Sequence, residues 1–179
     1  SVLGQSMGSY VALQAAVLAS EKIEKLILVT PKAYDDGKGS SVQRLMKEEG
    51  LDLGSASWEQ MMQVVSKALW SPLVTKEMMM DLDAKMAIRS KNTVVLTPEE
   101  SAAVNKALVG FDLRRQLENV SCQTLVISGT YDKINPPAFG KEIADGITSA
   151  EYVEFPGGHY LTGEFEEEYI RCVKEFLKN

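Results

Sequence analysis

Gly4-x-Ser6-x-Gly8 constrains this chain more than any other stretch. A short apolar run, Val2-Leu3, stands before it, and an amphipathic helical pattern stands after it. That is the signature of a strand, a sharp turn and a helix with a serine at the apex. In such a turn the apex residue adopts a strained backbone so that its hydroxyl projects above the sheet. The positions two before and two after it bring strand and helix together and call for minimal side chains. The pattern predicts a helix over 7–19, apolar nearly all round and buried against a sheet. The motif stands at the start of the sequence, where a complete sheet of this kind would already be half built.

Hydrophobic runs bounded by breakers place three more strands. They are 26–29, ending at Thr30-Pro31, then 124–128 and 151–155. The first is continuous Leu-Ile-Leu-Val, as suits a parallel strand buried on both faces. Between the second and third strands lie roughly 80 residues of helical pattern, too many for a plain crossover. Helices are predicted from 41 to a cap at Gly50, from Ser57 with Gln60 as a capping box, from Thr75, and from Thr97 with Glu100 as a second box. A short helix follows Asp112. Two more are expected at 138–145 and 164–178, the latter with Phe165, Tyr169, Val173, Phe176 and Leu177 inward. Strands alternating with helices make an α/β fold with a parallel sheet and flanking helices. The organisation is core over 1–31, a helical cap insertion over 32–118, and core again over 119–179.

Ser6, Asp132 and His159 each follow the carboxyl end of a different strand, and parallel sheets gather those ends on one rim. A serine hydroxyl is a poor nucleophile at neutral pH. It needs a base within hydrogen-bond reach, and the base needs a partner to fix its tautomer. Serine, carboxylate and the single histidine on one rim meet those needs. One histidine excludes a multi-histidine metal site, so no metal or other cofactor is expected. The net charge of −6 argues against nucleic-acid and anionic-membrane partners. No apolar run reaches the ~18 residues of a membrane span, and the first residues read as strand and elbow rather than as a leader. Cys122 and Cys172 stand in no metal-ligand spacing. They read as free, mostly buried thiols of a reducing, cytoplasmic compartment.

With those residues in place, the whole chain resembles an α/β-hydrolase fold protein with a helical cap. Leu3-Gly4-Gln5-Ser6-Met7-Gly8 resembles the nucleophile elbow. The run from Leu125 through Gly129-Thr130-Tyr131-Asp132 resembles the approach to the acid. Gly157-Gly158-His159-Tyr160 with Glu164 resembles the histidine loop and closing helix. The resemblance implies Ser6 as nucleophile, Asp132 as acid and His159 as base, with the Met7 backbone N–H as one oxyanion donor. Asp35 and Asp36 are alternatives for the acid. Gln5, Trp58, Met61, Met62, Tyr131 and Tyr160 are candidates to line a pocket for a small hydrophobic acyl substrate. Met78, Met79, Met80 and Trp70 belong with them, although helical spacing alone also explains the methionines and tryptophans as packing.

The implied reaction is ester hydrolysis through an acyl-enzyme. Carbon–carbon bond hydrolysis and ligand binding without turnover are the alternatives. In the family about four more strands precede the elbow and carry the second oxyanion donor. Their absence predicts an exposed elbow strand at the sheet edge. The missing half-sheet would come from the same longer chain or from a second chain; otherwise the chain stands alone or forms a homodimer through that edge.

Overall fold

The computed structural model describes residues 1–35, 41–52, 55–90 and 97–178. In chain order it runs β1 (Val2–Gln5), α1 (Met7–Ala19), β2 (Lys25–Val29), α2 (Ser41–Glu48), α3 (Trp58–Leu69), α4 (Lys76–Ser90), α5 (Pro98–Leu108), β3 (Gln123–Gly129), α6 (Pro137–Gly146), β4 (Ala150–Phe155), α7 (Leu161–Glu164) and α8 (Glu166–Lys178). The four strands are all parallel and lie in the order β1-β2-β3-β4. Gly4 pairs with Leu28, Val29 with Ile127, and Gly129 with Phe155, so the carboxyl ends align on one rim.

Side chains alternate across the sheet, as strand geometry demands. Leu26, Leu28 and Val126 face α1 and α6, packing with Leu13, Ala16 and Ile143. Ile27, Val29, Leu125 and Ile127 face the other way, onto Leu161 of α7 and Phe176 of α8. β2 is buried at every position, as its unbroken aliphatic run predicts. A third cluster, Leu45, Met46, Val64 and Ala68, holds α2 to α3. Both capping boxes form: Gln60 N donates to Ser57 Oγ and Glu100 N to Thr97 Oγ1, each reciprocated by the longer side chain. Gly50 (φ 72°) follows α2 in the left-handed conformation that its lack of Cβ permits.

Among the described residues β1 is the edge strand, paired with β2 alone. Leu3 is 49% exposed there. α1 departs from the uniformly buried helix that its composition predicts. Tyr10, Ala12, Leu13 and Ala16 are buried, but Val11 and Leu18 are among the most exposed apolar side chains. The cause is the position of α1 over the edge of the sheet, where its outer flank has no strand beneath it. The closing helix also differs from expectation. Phe165 (φ −126°, ψ 47°) interrupts it and separates α7 from α8. Leu177 points to solvent, because Phe176 fills the core position beside it. Under that last turn, the buried Lys25 donates from Nζ to Phe176 O and Leu177 O, two carbonyls with no helical partner to come. Among the described residues, no helix is long and apolar enough to cross a membrane.

Candidate active site

Ser6 stands at the end of β1 with φ 52° and ψ −122°, a region that side-chain-bearing residues seldom occupy. Such strain, of order 1–3 kcal/mol, persists only where the surroundings enforce it. Here Ser6 N donates to Val29 O of β2, and Ser6 O accepts from Ser9 N in the first turn of α1. The turn is pinned from both sides. Gly4 is essential to it: a Cβ there would lie 2.3 Å from Gly8 O and 2.7 Å from Ser9 N. The equal crowding expected at Gly8 is absent, since a Cβ at Gly8 meets nothing within 4 Å among the described residues. Gly8 faces outward from the sheet edge rather than into it.

The second approach is between the ends of β3 and β4. A Cβ at Gly129 would lie 2.5 Å from Gly158 O and 2.6 Å from Gly157 O, so only glycine lets the two loops touch. Tyr131 N donates to Gly157 O across the same seam. This contact delivers Asp132 to the histidine. His159 Nδ1 lies 2.8 Å from Asp132 Oδ2, and His159 Nε2 lies 2.8 Å from Ser6 Oγ. A carboxylate only accepts, so the proton sits on Nδ1 and the lone pair of Nε2 faces the serine hydroxyl. Asp132 Oδ1 accepts from the backbone N–H of Ile134 and of Asn135, both at 2.8 Å. Asp132 and His159 are 4% and 7% exposed, which shields their interaction from water. Ser6 stays half-buried and reachable.

Sequence reasoning missed Asn135, a residue the structure places at the junction of three elements. Its amide donates to Tyr10 OH of α1 and to Thr30 O just beyond β2, both at 2.7 Å, while its own N–H holds Asp132. The neighbouring carbonyl of Thr30 fixes the orientation of the amide, since only nitrogen can face it. Asn135 is 1% exposed and Thr30 has φ 47°, so acid loop, elbow helix and β2 share one buried polar knot. The only sequence signal was a polar residue between Ile134 and two prolines, which reads as an ordinary turn. Asn135→Leu is expected to cost about 2–3 kcal/mol in urea unfolding, because it strands buried partners. A variant as stable as the parent would contradict the knot.

Burial pushes the Tyr10 hydroxyl up to about 12, with the nearby Asp132 charge adding to the shift and the Asn135 hydrogen bond opposing it. A group whose folded value is raised leaves stability intact below its unfolded value, near 10. Stability then falls as pH rises through the folded value. Between about pH 10 and 12 the fold is therefore expected to lose on the order of 2 kcal/mol through Tyr10. Tyr10→Phe, less stable at neutral pH for want of the hydroxyl, should show a flatter alkaline decline. An identical alkaline slope in both proteins would contradict the assignment.

The remaining candidates scatter. Gln5 Nε2 donates to Thr162 Oγ1 of α7, tying the elbow to the histidine side. Met7 opens α1, where a backbone N–H has no intrahelical acceptor. Tyr160 lies edge-on to Trp70, their ring centres 5.3 Å apart. Tyr131 is exposed and lines a cavity of about 650 Å³ with Trp70, Pro72, Met79, Thr130 and Asp132. That cavity borders Asp132 but neither Ser6 nor His159. Met61 packs on the cluster between α2 and α3 instead. The side chains of Trp58 and Met62 lie outside the described residues, as does Asp36. Asp35 accepts from Gly110 N at 2.8 Å, beside the bridge between Tyr34 and Asp112.

Comparison with known proteins agrees with this architecture. A family model described as the alpha/beta hydrolase fold matches residues 1–165. A 2-hydroxy-6-oxo-6-phenylhexa-2,4-dienoate hydrolase of Comamonas testosteroni is 27% identical over 184 residues, covering 99% of this chain and 62% of that protein. A pimeloyl-(acyl-carrier protein) methyl ester esterase of Photobacterium profundum is 24% identical over 181 residues, covering 98% of this chain and 69% of that protein. The solved enol-lactonase of Burkholderia xenovorans LB400 superposes with a TM-score of 0.76 at 25% identity, covering 99% of this chain and 65% of the enzyme. The chain thus spans about 62% of the length of the first curated relatives it matches. With its parallel sheet, its strained serine turn and a family model matching residues 1–165, the chain belongs to the alpha/beta hydrolase fold family.

Proposed function

We propose that the chain carries the reacting groups of a serine hydrolase for a carboxylic ester or similar acyl substrate. The observation that carries this is the row Ser6 Oγ, His159 Nε2, His159 Nδ1 and Asp132 Oδ2, joined by two 2.8 Å contacts. Ser6 Oγ attacks the carbonyl carbon while His159 Nε2 takes its proton. Asp132 stabilises the imidazolium. His159 returns the proton to the leaving alcohol, and water then cleaves the acyl-enzyme by the same steps in reverse. The Met7 N–H, at the positive end of α1, receives the developing oxyanion. α2–α5 act as a cap over the rim. Trp70, Pro72 and Met79 line the cavity that borders Asp132, and a small hydrophobic acyl substrate is the class proposed.

A second reading, hydrolysis of a carbon–carbon bond, is favoured by the name of the Comamonas testosteroni relative. Both readings use the same serine, base and acid. Assaying a short p-nitrophenyl ester against a vinylogous 1,5-diketone separates them: ester hydrolysis is expected to be the faster, and preferential cleavage of the diketone would reverse the order. A folded protein turning over neither class, and unreactive at Ser6, would be a binder.

The outer edge of β1 is proposed to receive a further parallel strand, from a longer form of the chain or from a second chain. A second copy joining through the same edge is the remaining arrangement. Exposed Leu3, Met7, Val11 and Leu18 and the open space at Gly8 support this. The second oxyanion donor comes from that addition. Without it the 179 residues alone should turn over esters about 100-fold more slowly than with the sheet completed.

A further inference from the structure

We propose that Glu164 is the positioning residue for His159, acting by locking the histidine loop to the end of α3. The proposal rests on reading Ser6 and His159 as the reacting pair. Glu164 Oε1 accepts two backbone hydrogen bonds, from Gly158 N at 2.9 Å and from Ser71 N at 3.1 Å. Gly158 immediately precedes His159, and Ser71 lies just past the C-cap of α3. On the other side of the histidine, Tyr160 N donates to Leu69 O at 3.0 Å. His159 is therefore flanked on one side by a bond to Glu164, whose same oxygen also holds Ser71 N, and on the other by a bond to Leu69.

The fit is close. A Cβ on Gly158 would lie 2.5 Å from Leu69 O, 2.7 Å from Trp70 C and 2.8 Å from Ser71 N, all of them backbone atoms. The Trp70 and Tyr160 rings meet edge-on beside it. Glu164 also carries an oddity: its second oxygen, Oε2, is buried with no hydrogen-bond partner among the described residues. A half-satisfied buried carboxylate is costly. Here the cost accompanies a single oxygen that joins two segments 87 positions apart, Ser71 and Gly158.

The consequence is mechanical. The imidazole is aimed at Ser6 by a loop whose position is set from α3 and not from β4 alone. Loss of the bridge should thus slow proton transfer without weakening substrate capture.

Two readouts on the full chain test this. His159 is the only histidine, so a single imidazole N–H proton signal reports the Nδ1–H held by Asp132. In Glu164→Gln, which keeps the acceptor oxygen, that signal should persist and the maximal rate of Ser6 modification by a fluorophosphonate should stay within about threefold. In Glu164→Ala the signal should broaden or vanish, and the maximal rate should fall at least ~10-fold with the half-saturating probe concentration unchanged, as small misplacements of a reacting group do. A folded Glu164→Ala with the parental signal and rate overturns the proposal. Should that variant not fold, Gly158→Ala, which pushes residues 69–71 away from the loop, is judged by the same two readouts. If the parent itself is not modified at Ser6, the hydrolase reading fails, and the imidazole signal alone still decides whether Glu164 positions His159.

Discussion

Ser6→Ala is expected to lower acyl-substrate turnover by on the order of 10⁴- to 10⁶-fold while leaving the urea midpoint nearly unchanged. The hydroxyl makes one contact that matters to the site, the 2.8 Å approach to His159 Nε2. The strained turn around it is held by backbone bonds to Val29 and Ser9, which alanine keeps. His159→Ala should cost a similar factor, and the double variant should be no worse than either single one, because groups acting as a unit are not additive. Multiplicative losses would mean that the two residues act separately.

The largest effect on stability is expected at Gly4. In Gly4→Ala the new methyl would stand 2.3 Å from Gly8 O and 2.6 Å from Gly8 C. Both are main-chain atoms of α1 and cannot swing aside as a flexible side chain does. Either β1 leaves its register against Leu26 and Leu28 or α1 lifts off the sheet. A loss of about 3 kcal/mol or more is expected, in the upper range of overpacking and strain, together with loss of reactivity at Ser6. Gly8→Ala makes the contrast. Its methyl meets nothing within 4 Å among the described residues, and it lies in the first turn of a helix. It should be neutral or stabilising by up to about 1 kcal/mol. Equal damage at both glycines, measured by denaturant midpoints on this chain, would contradict the geometry of the turn.

Much of this was legible in the sequence, and for identifiable reasons. Strand and helix periods are local, so the aliphatic run of β2 and both capping boxes could be read directly. The rim placement of Ser6, Asp132 and His159 followed from strand ends, because parallel strands must finish on the same side. The exposure of β1 followed from the resemblance, which supplied the strand order. What stayed hidden depends on contacts between distant segments. Asn135 looked like a turn residue, and nothing near it in sequence announces Tyr10 or Thr30 as its partners. The reach of Glu164 to Ser71 depends on how the end of α3 lands beside the histidine loop. Gly8 matched the motif's spacing, yet a Cβ there would meet nothing within 4 Å among the described residues. Leu177 had the period of an inward residue, but Tyr169, Val173 and Phe176 fill the core side of α8 and leave Leu177 exposed.

The pairing of Ser6 with His159 is the central claim, and covalent labelling tests it most directly. The chain should be exposed to an excess of a fluorophosphonate, its intact mass measured and the modified peptide sequenced. The expected result is one phosphonyl group per chain on Ser6, absent from His159→Ala. A folded chain that stays unmodified, or one labelled instead at another hydroxyl such as Ser9 or Ser71, would contradict it.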